Sequence, residues 1–215
     1  MKKIKNELIK YAAFIPLVQG WLNKRQQNHD LQIWEQMKER RLPLPHILKQ
    51  KILKGYVKDY DLKIFVETGT YLGEMVEAMK NNFDTIYSIE LSEKFARKAQ
   101  RYFKAEKNIK IIQGDSGREI EKIMQEIDRP ALFWLDGHYS AGDTARGEKD
   151  TPVLEELLHI LTAEDMRHVI LIDDARAFGR LATYPTVEAL KGFIFSKRSN
   201  VKVEVQDDII RILPV

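Results

Sequence analysis

The chain contains no cysteine, which excludes disulfide scaffolds and thiolate catalysis and is compatible with a reducing compartment. It also lacks any apolar run near the ~18 residues that a membrane-spanning helix requires. The lysine-rich start leads into "YAAFIPLVQGWL", but Pro16 and Gln19 interrupt this stretch and no small-residue cleavage pattern follows. It does not read as a signal peptide, and a cytoplasmic protein is expected. No G-x-x-x-x-G-K-[ST] loop is present to cradle a triphosphate, no G-x-S-x-G elbow to present a serine, and no G-x-G-x-x-G to seat a pyrophosphate. Histidine is scarce, with 5 in the chain, and His29, His159 and His168 show no metal-ligand spacing. No internal repeat and no low-complexity tract interrupts the sequence.

What is present is 215 residues at 44% hydrophobic, enough for one sizeable core with an appendage. The net charge of +3 is unevenly spread. Residues 1–60 hold 13 Lys/Arg against 5 Asp/Glu, an excess of eight, so the remaining 155 residues carry five more acids than bases. We expect residues 1–60 to form a basic helical N-terminal extension, broken at Pro16, Gly20, Pro43 and Pro45, and residues 61–215 to form the main domain. The extension suits a solvated helical face. Through residues 1–24 it also suits an anionic inner-membrane surface, which would make the protein peripheral there. Nucleic acid is disfavoured, because the basic segment lacks interleaved aromatics and the main domain is acidic.

From residue 62 onward short apolar runs alternate with helical periodicity, the pattern of a parallel α/β sheet. "KIFVE" (63–67), "TIYSIE" (85–90), "IKIIQ" (109–113), "ALFWLD" (131–136) and "HVILID" (168–173) read as five strands. Helical stripes lie between them: Phe95, Ala99, Tyr102 and Phe103 after Ser92 as N-cap; Ile120, Ile123, Met124 and Ile127; and Val153, Leu154, Leu157, Leu158 and Leu161 after Thr151-Pro152. A helix over 185–196 precedes "VKVEVQDDIIRIL", which places two strand-like runs around Asp207-Asp208 as a hairpin. A mainly parallel sheet finished by an antiparallel strand follows.

"FVETGTYLGEMVEAM" (65–79) puts Gly69, Thr70, Tyr71 and Gly73 in the turn after the first strand, where glycines let backbone N–H groups approach a ligand. Glu67 ends the first strand, where a carboxylate can accept from a ligand's ammonium. Glu90 ends the second, where it can bind ribose hydroxyls. Asp115, with Ser116, follows the third and can reach an adenine amino group. Acids after three successive strands, beside a glycine turn, suggest a nucleoside with a charged tail. A turn that only joins strand to helix, with acids that cap helices, is the structural alternative.

On these residues the sequence resembles the class I S-adenosylmethionine-dependent methyltransferases over residues 63–215. "ETGTYLG" keeps Glu67, Gly69 and Gly73 but has Tyr71 where a middle glycine is usual. The resemblance implies a Rossmann-like seven-stranded sheet, mostly parallel with an antiparallel last strand, in three α/β/α layers. It implies S-adenosylmethionine as cofactor, with Glu90 on the ribose and Asp115 near the adenine. The nicotinamide reading competes through Glu90, but the missing pyrophosphate seat counts against it.

"FWLDGHYSAGDTARGEKDTP" (133–152) follows a fourth strand that delivers Asp136, while "LIDDA" delivers Asp173 and Asp174 after the fifth. Three carboxylates on one rim would repel one another unless a cation joined them, and oxygen-only ligands suit Mg²⁺. The alternative is that Asp173 or Asp174 caps a turn while Asp136 touches the cofactor. The pattern resembles the magnesium-dependent O-methyltransferases, including catechol O-methyltransferase and, more closely, the macrocin-type sugar O-methyltransferases. That resemblance implies Asp136, Asp173 and Asp174 as metal ligands and His138 as the base. The expected reaction is O-methylation of a small polyhydroxylated acceptor such as a sugar or glycan precursor. Tyr139 is placed to pack on the cofactor. The loop 140–150 offers Arg146 and Lys149 to an acidic acceptor, Arg176 and Arg180 share the rim, and His46 reaches it if the extension folds over. A metal-independent methyltransferase on another acceptor, RNA included, a non-catalytic nucleotide- or partner-binding module and a homo-oligomer stay open.

Overall fold

The computed structural model describes residues 16–36, 43–137 and 151–215. The expected base His138, Tyr139, and the loop residues Arg146 and Lys149 lie outside the described residues, as does most of the segment 1–24. The chain divides into two compact units, Met1–Ile52 and Leu53–Val215. The first contains helix α1 (Pro16–Gln36) and the start of α2 (His46–Tyr60), so the division falls inside α2. No helix among the described residues is long and apolar enough to cross a membrane.

The second unit is built on one seven-stranded sheet. Its strands are β1 (Ile64–Thr68), β2 (Thr85–Glu90), β3 (Ile109–Gln113), β4 (Ala131–Leu135), β5 (Val169–Ile172), β6 (Val201–Gln206) and β7 (Ile209–Pro214). The order across the sheet is β3-β2-β1-β4-β5-β7-β6. The first five strands are parallel, and β7 runs antiparallel to both β5 and β6. Between them lie α3 (Glu74–Met79), α4 (Glu93–Tyr102), α5 (Ser116–Glu126), α6 (Val153–Thr162) and α7 (Val187–Lys197). The expected α/β sheet with a reversed last strand is what the chain forms. Every residue of β1, β4 and β5 is buried, the signature of parallel strands covered on both faces.

One face carries Val66, Phe133, Leu135, Ile170 and Ile172, which pack with Ile120 and Ile123 of α5, Leu157 and Ile160 of α6, and Leu190 and Ile194 of α7. Residues of opposite parity, Phe65, Ile86, Leu132 and Trp134, are also fully buried, and Phe65 stacks on Phe83 at 5.1 Å. Each such side chain contributes about 1.5–3 kcal/mol on leaving water. The β6–β7 hairpin turns on Asp207 and Asp208, both with positive φ (55° and 62°), as a two-residue type I′ turn requires.

Helix α6 corrects one expected stripe. Leu154 and Leu158 stay 39% and 37% exposed, while Val153, Glu156, Leu157, Ile160 and Leu161 are buried. The helix begins at Val153 with Pro152 as its N-cap, and Thr151 Oγ1 accepts from Val153 N at 3.4 Å. Its inward face is thus rotated from the expected one and includes an acid.

Candidate functional site

The strand order reverses between β1 and β4, and a crevice opens beyond the carboxyl ends of strands at such a point. The turn after β1 lies there. Gly69 has φ 86°, and a Cβ on it would stand 2.6 Å from the backbone oxygen of Asp136. Only glycine lets these two backbone segments meet. Gly73, with φ 75°, packs against the ring of Phe103, where a Cβ would come within 2.9 Å. Tyr71, at the position where a middle glycine is usual, itself takes φ 47°. Left-handed backbone in a non-glycine residue costs on the order of 1–3 kcal/mol. Here it is held by a hydrogen bond from Tyr71 N to Glu90 Oε2 (2.7 Å) and by ring contact with Phe95 at 4.9 Å. The departure from the glycine pattern therefore leaves a left-handed turn in place.

Glu67, Glu90 and Asp115 all reach this carboxyl edge. Glu90 is buried, and its two oxygens accept from Tyr71 N and from Ser92 N (2.8 Å), tying the glycine turn to the segment after β2. Ser92 is the N-cap residue of α4, yet its side chain makes no capping bond. Asp115 caps α5, with Oδ1 accepting from Gly117 N at 2.9 Å. Ser116, the first residue of that helix, is buried beside it. Glu67 is buried at the end of β1. Ser88 Oγ donates to Glu67 Oε2 at 2.5 Å, and Thr70 Oγ1 lies 2.6 Å from Ser88 Oγ. With the Ser88 proton directed to Glu67, Thr70 is the donor to Ser88. Burial pushes the Glu67 carboxyl up to about 8, against the Ser88 hydrogen bond and with the charges of Asp136 and Glu90 adding to the rise. No cation among the described residues offsets this rise.

The second cluster assembles differently from the expected metal triad. Asp173 is buried, and its Oδ1 accepts from Asp174 N at 2.8 Å. Asp174 takes a left-handed conformation (φ 55°), and its Oδ1 meets Arg176 Nη1 at 2.6 Å. The same guanidinium contacts Asp208 Oδ2, and Arg176 N donates to Asp208 Oδ1 at 2.8 Å. The positive charge beside Asp174 is thus an arginine that joins the end of β5 to the β6–β7 turn. Among the described residues no group of three or more His, Asp or Glu side chains is placed to hold a metal ion. Asp136, Asp173 and Asp174 are accordingly not gathered as a metal site among the described residues.

Asp136 extends from β4 over the crevice. Its N donates to Thr68 O and to Thr68 Oγ1, each at 3.2 Å, and Gly137 N donates to the same hydroxyl at 3.1 Å. Glu156 of α6, only 1% exposed, lies beneath. Burial pushes its carboxyl up to about 7, against the nearby hydroxyls of Ser116 and Thr68 and with the charges of Asp115 and Asp136 adding. Sequence reasoning missed Glu156, although an acid three residues after Val153 and four before Ile160 falls on an apolar helix face. It also missed Ser88, a hydroxyl inside a buried strand.

The histidines take other places. His168 is buried, its Nδ1 accepts from Ala131 N at 3.0 Å, and burial lowers its pKa to about 4. His46 belongs to the first unit, where its Nδ1 lies 2.8 Å from Gln50 Nε2. His29 is exposed beside Asp30.

No family model matches the sequence, and neither does any curated protein. Solved structures do match the fold. A methyltransferase of Podospora anserina bound to SAH (S-adenosylhomocysteine) is 18% identical, with 99% of this chain and 96% of that chain covered and a TM-score of 0.58. A Clostridium thermocellum protein described as an rRNA methylase is 13% identical over 81% of this chain and 100% of that chain, at TM-score 0.56. A Streptococcus mutans protein described as a methyltransferase in complex with SAH is 14% identical over the same shares, at TM-score 0.53. The fold of this chain is theirs.

Proposed function

We propose that the chain is an S-adenosylmethionine-dependent methyltransferase, and that it methylates an oxygen of a small polyhydroxylated acceptor. The observation that carries the cofactor reading is Glu67, a buried acid that meets no cation among the described residues, beside the left-handed turn Gly69–Gly73 at the sheet's crevice. A ligand that brings an ammonium group would supply the missing charge. The SAH-bound neighbours of the same fold support that choice.

In this reading Glu67 holds the ammonium, Glu90 the ribose hydroxyls, and Asp115 with Ser116 the adenine, while Thr70, Tyr71 and Asp136 border the ligand. When bound, the cofactor supplies a methyl group on a sulfonium sulfur for transfer to a nucleophile. His138, two residues after Asp136, is the base that takes the acceptor's hydroxyl proton. A histidine suits this role because an unperturbed imidazole, with a pKa of about 6.5, can accept a proton near pH 7. Holding the acceptor oxygen in line with the methyl group is the orientation such a displacement needs.

Magnesium assistance through Asp136, Asp173 and Asp174 is the finer form of this reading, and Arg176 stands against it by already compensating Asp174. RNA is the competing acceptor, favoured by the basic excess in residues 1–60. A steep fall of RNA affinity with salt would support it.

Calorimetric titration with S-adenosylhomocysteine tests the central claim. The wild type is expected to bind. Gly69→Ala, which drives a Cβ into the Asp136 backbone, is expected to weaken binding at least tenfold. No binding by the folded wild type would overturn the proposal. A magnesium heat that disappears in an Asp136→Ala, Asp173→Ala variant would restore the metal.

A further inference from the structure

Ser88 stands inside β2, between Tyr87 and Ile89, and is fully buried. Its strand is paired in parallel on both sides, and such strands are apolar nearly throughout. Packing alone gives no reason for a hydroxyl there. The register gives one of another kind. Where β1 pairs with β2, Ser88 lies directly opposite Glu67, and its Oγ donates to Glu67 Oε2 at 2.5 Å. The same oxygen lies 2.6 Å from Thr70 Oγ1. A hydroxyl has one proton to give, so Thr70 donates to Ser88 while Ser88 donates to Glu67.

All three side chains are buried, and they form one line from the turn after β1 back to the acid near the end of that strand. The main chain of the turn is tied to the same strand, because Gly69 N and Thr70 N both donate to Ile89 O, at 2.9 and 3.3 Å. Stability does not account for the line. Replacing both partners of a buried polar pair by apolar groups of the same shape is close to neutral or stabilising. What the line does accomplish is to pin one oxygen of Glu67, which sets the direction of its carboxyl plane where the sheet opens on its crevice.

We propose that Ser88 is a positioning residue of the cofactor site, one that aims the Glu67 carboxylate at a ligand's ammonium group and joins it to the glycine turn through Thr70. The proposal rests on the methyltransferase reading for the identity of the ligand, while the line of three side chains stands on its own distances.

Two ligands and one substitution separate positioning from packing. S-adenosylhomocysteine carries an ammonium group, whereas 5′-methylthioadenosine keeps the nucleoside and its sulfur but has no amino-acid tail. Ser88→Ala withdraws the donor from a buried acid and lowers the melting temperature whichever role Ser88 has, so affinity decides. By calorimetry the variant is expected to bind S-adenosylhomocysteine about tenfold more weakly than the wild type, the size expected of a hydrogen bond to a charged group, and 5′-methylthioadenosine within about twofold. Wild-type affinity for S-adenosylhomocysteine, or an equal loss for both ligands, would overturn the proposal. If Ser88→Ala fails to fold, Thr70→Val breaks the line at its other end and is expected to weaken S-adenosylhomocysteine about threefold with 5′-methylthioadenosine unchanged. Unchanged affinity for the first ligand, or equal weakening of both, then overturns it. A folded wild type that binds the two ligands equally well gives Glu67 no ammonium to hold, and the proposal falls while the nucleoside site stands. A folded wild type that binds neither ligand overturns the methyltransferase reading and the proposal with it.

Discussion

Two stretches of the same sheet edge bury acids in opposite ways. Over β1 and β4, Glu67 is buried with Ser88 as its hydrogen-bond partner, Glu156 is buried with Oε1 unpartnered, and burial pushes both carboxyls up. Over β5 and the β6–β7 turn, Asp174 and Asp208 share the guanidinium of Arg176, and Asp207 pairs with Arg211 at 2.9 Å. The second stretch is electrostatically complete within the chain. Among the described residues the first stretch offers neither acid an arginine or lysine partner, and that contrast, more than the count of acids, distinguishes the two.

The largest effect expected of breaking this contrast is at Arg176. Arg176→Ala leaves Asp208, almost wholly buried, without its charge partner. Removing one partner of a buried pair costs about 3–5 kcal/mol, and the partial exposure of Arg176 reduces this to roughly 2–3. Thermal unfolding should drop by about 5–10 °C, while affinity for S-adenosylhomocysteine, read by calorimetry, changes little. An equal loss of affinity would show that the two stretches are one site.

The next effect is on pH dependence. Glu67 and Glu156 have folded pKa values of about 8 and about 7 against 4.5 unfolded, so the folded state binds more protons. Their stabilisation is full below pH 4.5 and is lost as pH rises through 7 and 8. His168 runs the other way, at about 4 folded against 6.5 unfolded, so its stabilisation is present above pH 6.5 and lost as pH falls toward 4. Between pH 4.5 and 6.5 the two carboxyls lose stabilisation while the single histidine gains it, so on these groups the melting temperature should be highest near pH 4.5 and fall toward pH 8. Glu67→Gln should flatten the alkaline fall and leave the acid fall intact. A cationic ligand at Glu67 should expel its proton near pH 7, making the calorimetric heat depend on the buffer's ionisation enthalpy in the wild type but not in Glu67→Gln.

The smallest effect belongs to an exposed pair that resembles the Arg176 cluster only on paper. Lys110 and Glu126 meet at 2.7 Å with both side chains about half exposed. Glu126→Gln should cost under about 1 kcal/mol by denaturant titration, and less in high salt.

The architecture was legible because parallel strands buried on both faces write continuous apolar runs. "ALFWL" and "VILI" could hardly be anything else, and Asp207-Asp208 announced the hairpin. That Glu67, Glu90, Asp115 and the Gly69–Gly73 turn share one edge was legible because acids at strand ends and glycines after β1 are local signals. Two features were not read. Glu156 was hidden because a stripe drawn through Val153, Leu154, Leu157 and Leu158 is as apolar as the true inward face, and helix rotation is settled by tertiary packing. The Arg176 cluster was hidden because its partner Asp208 lies 32 positions away. From "LIDD" alone the two aspartates look like a pair in need of a metal; the positive charge stands two residues on, at Arg176, and only the return of the chain at β7 shows that it also holds Asp208.

Strand order also has a consequence in time. β7 is inserted between β5 and β6, so the outer edge of β5 pairs with the last strand in the sequence and with nothing made earlier. During synthesis at about 5–20 residues per second, the five parallel strands emerge on the order of seconds before that partner does. Throughout this interval "VILI" presents an unpaired apolar edge of the kind that recruits other chains. A nascent chain of this protein is therefore most exposed to misassembly just before residues 209–214 appear, and the β6–β7 hairpin closes the sheet as well as extending it.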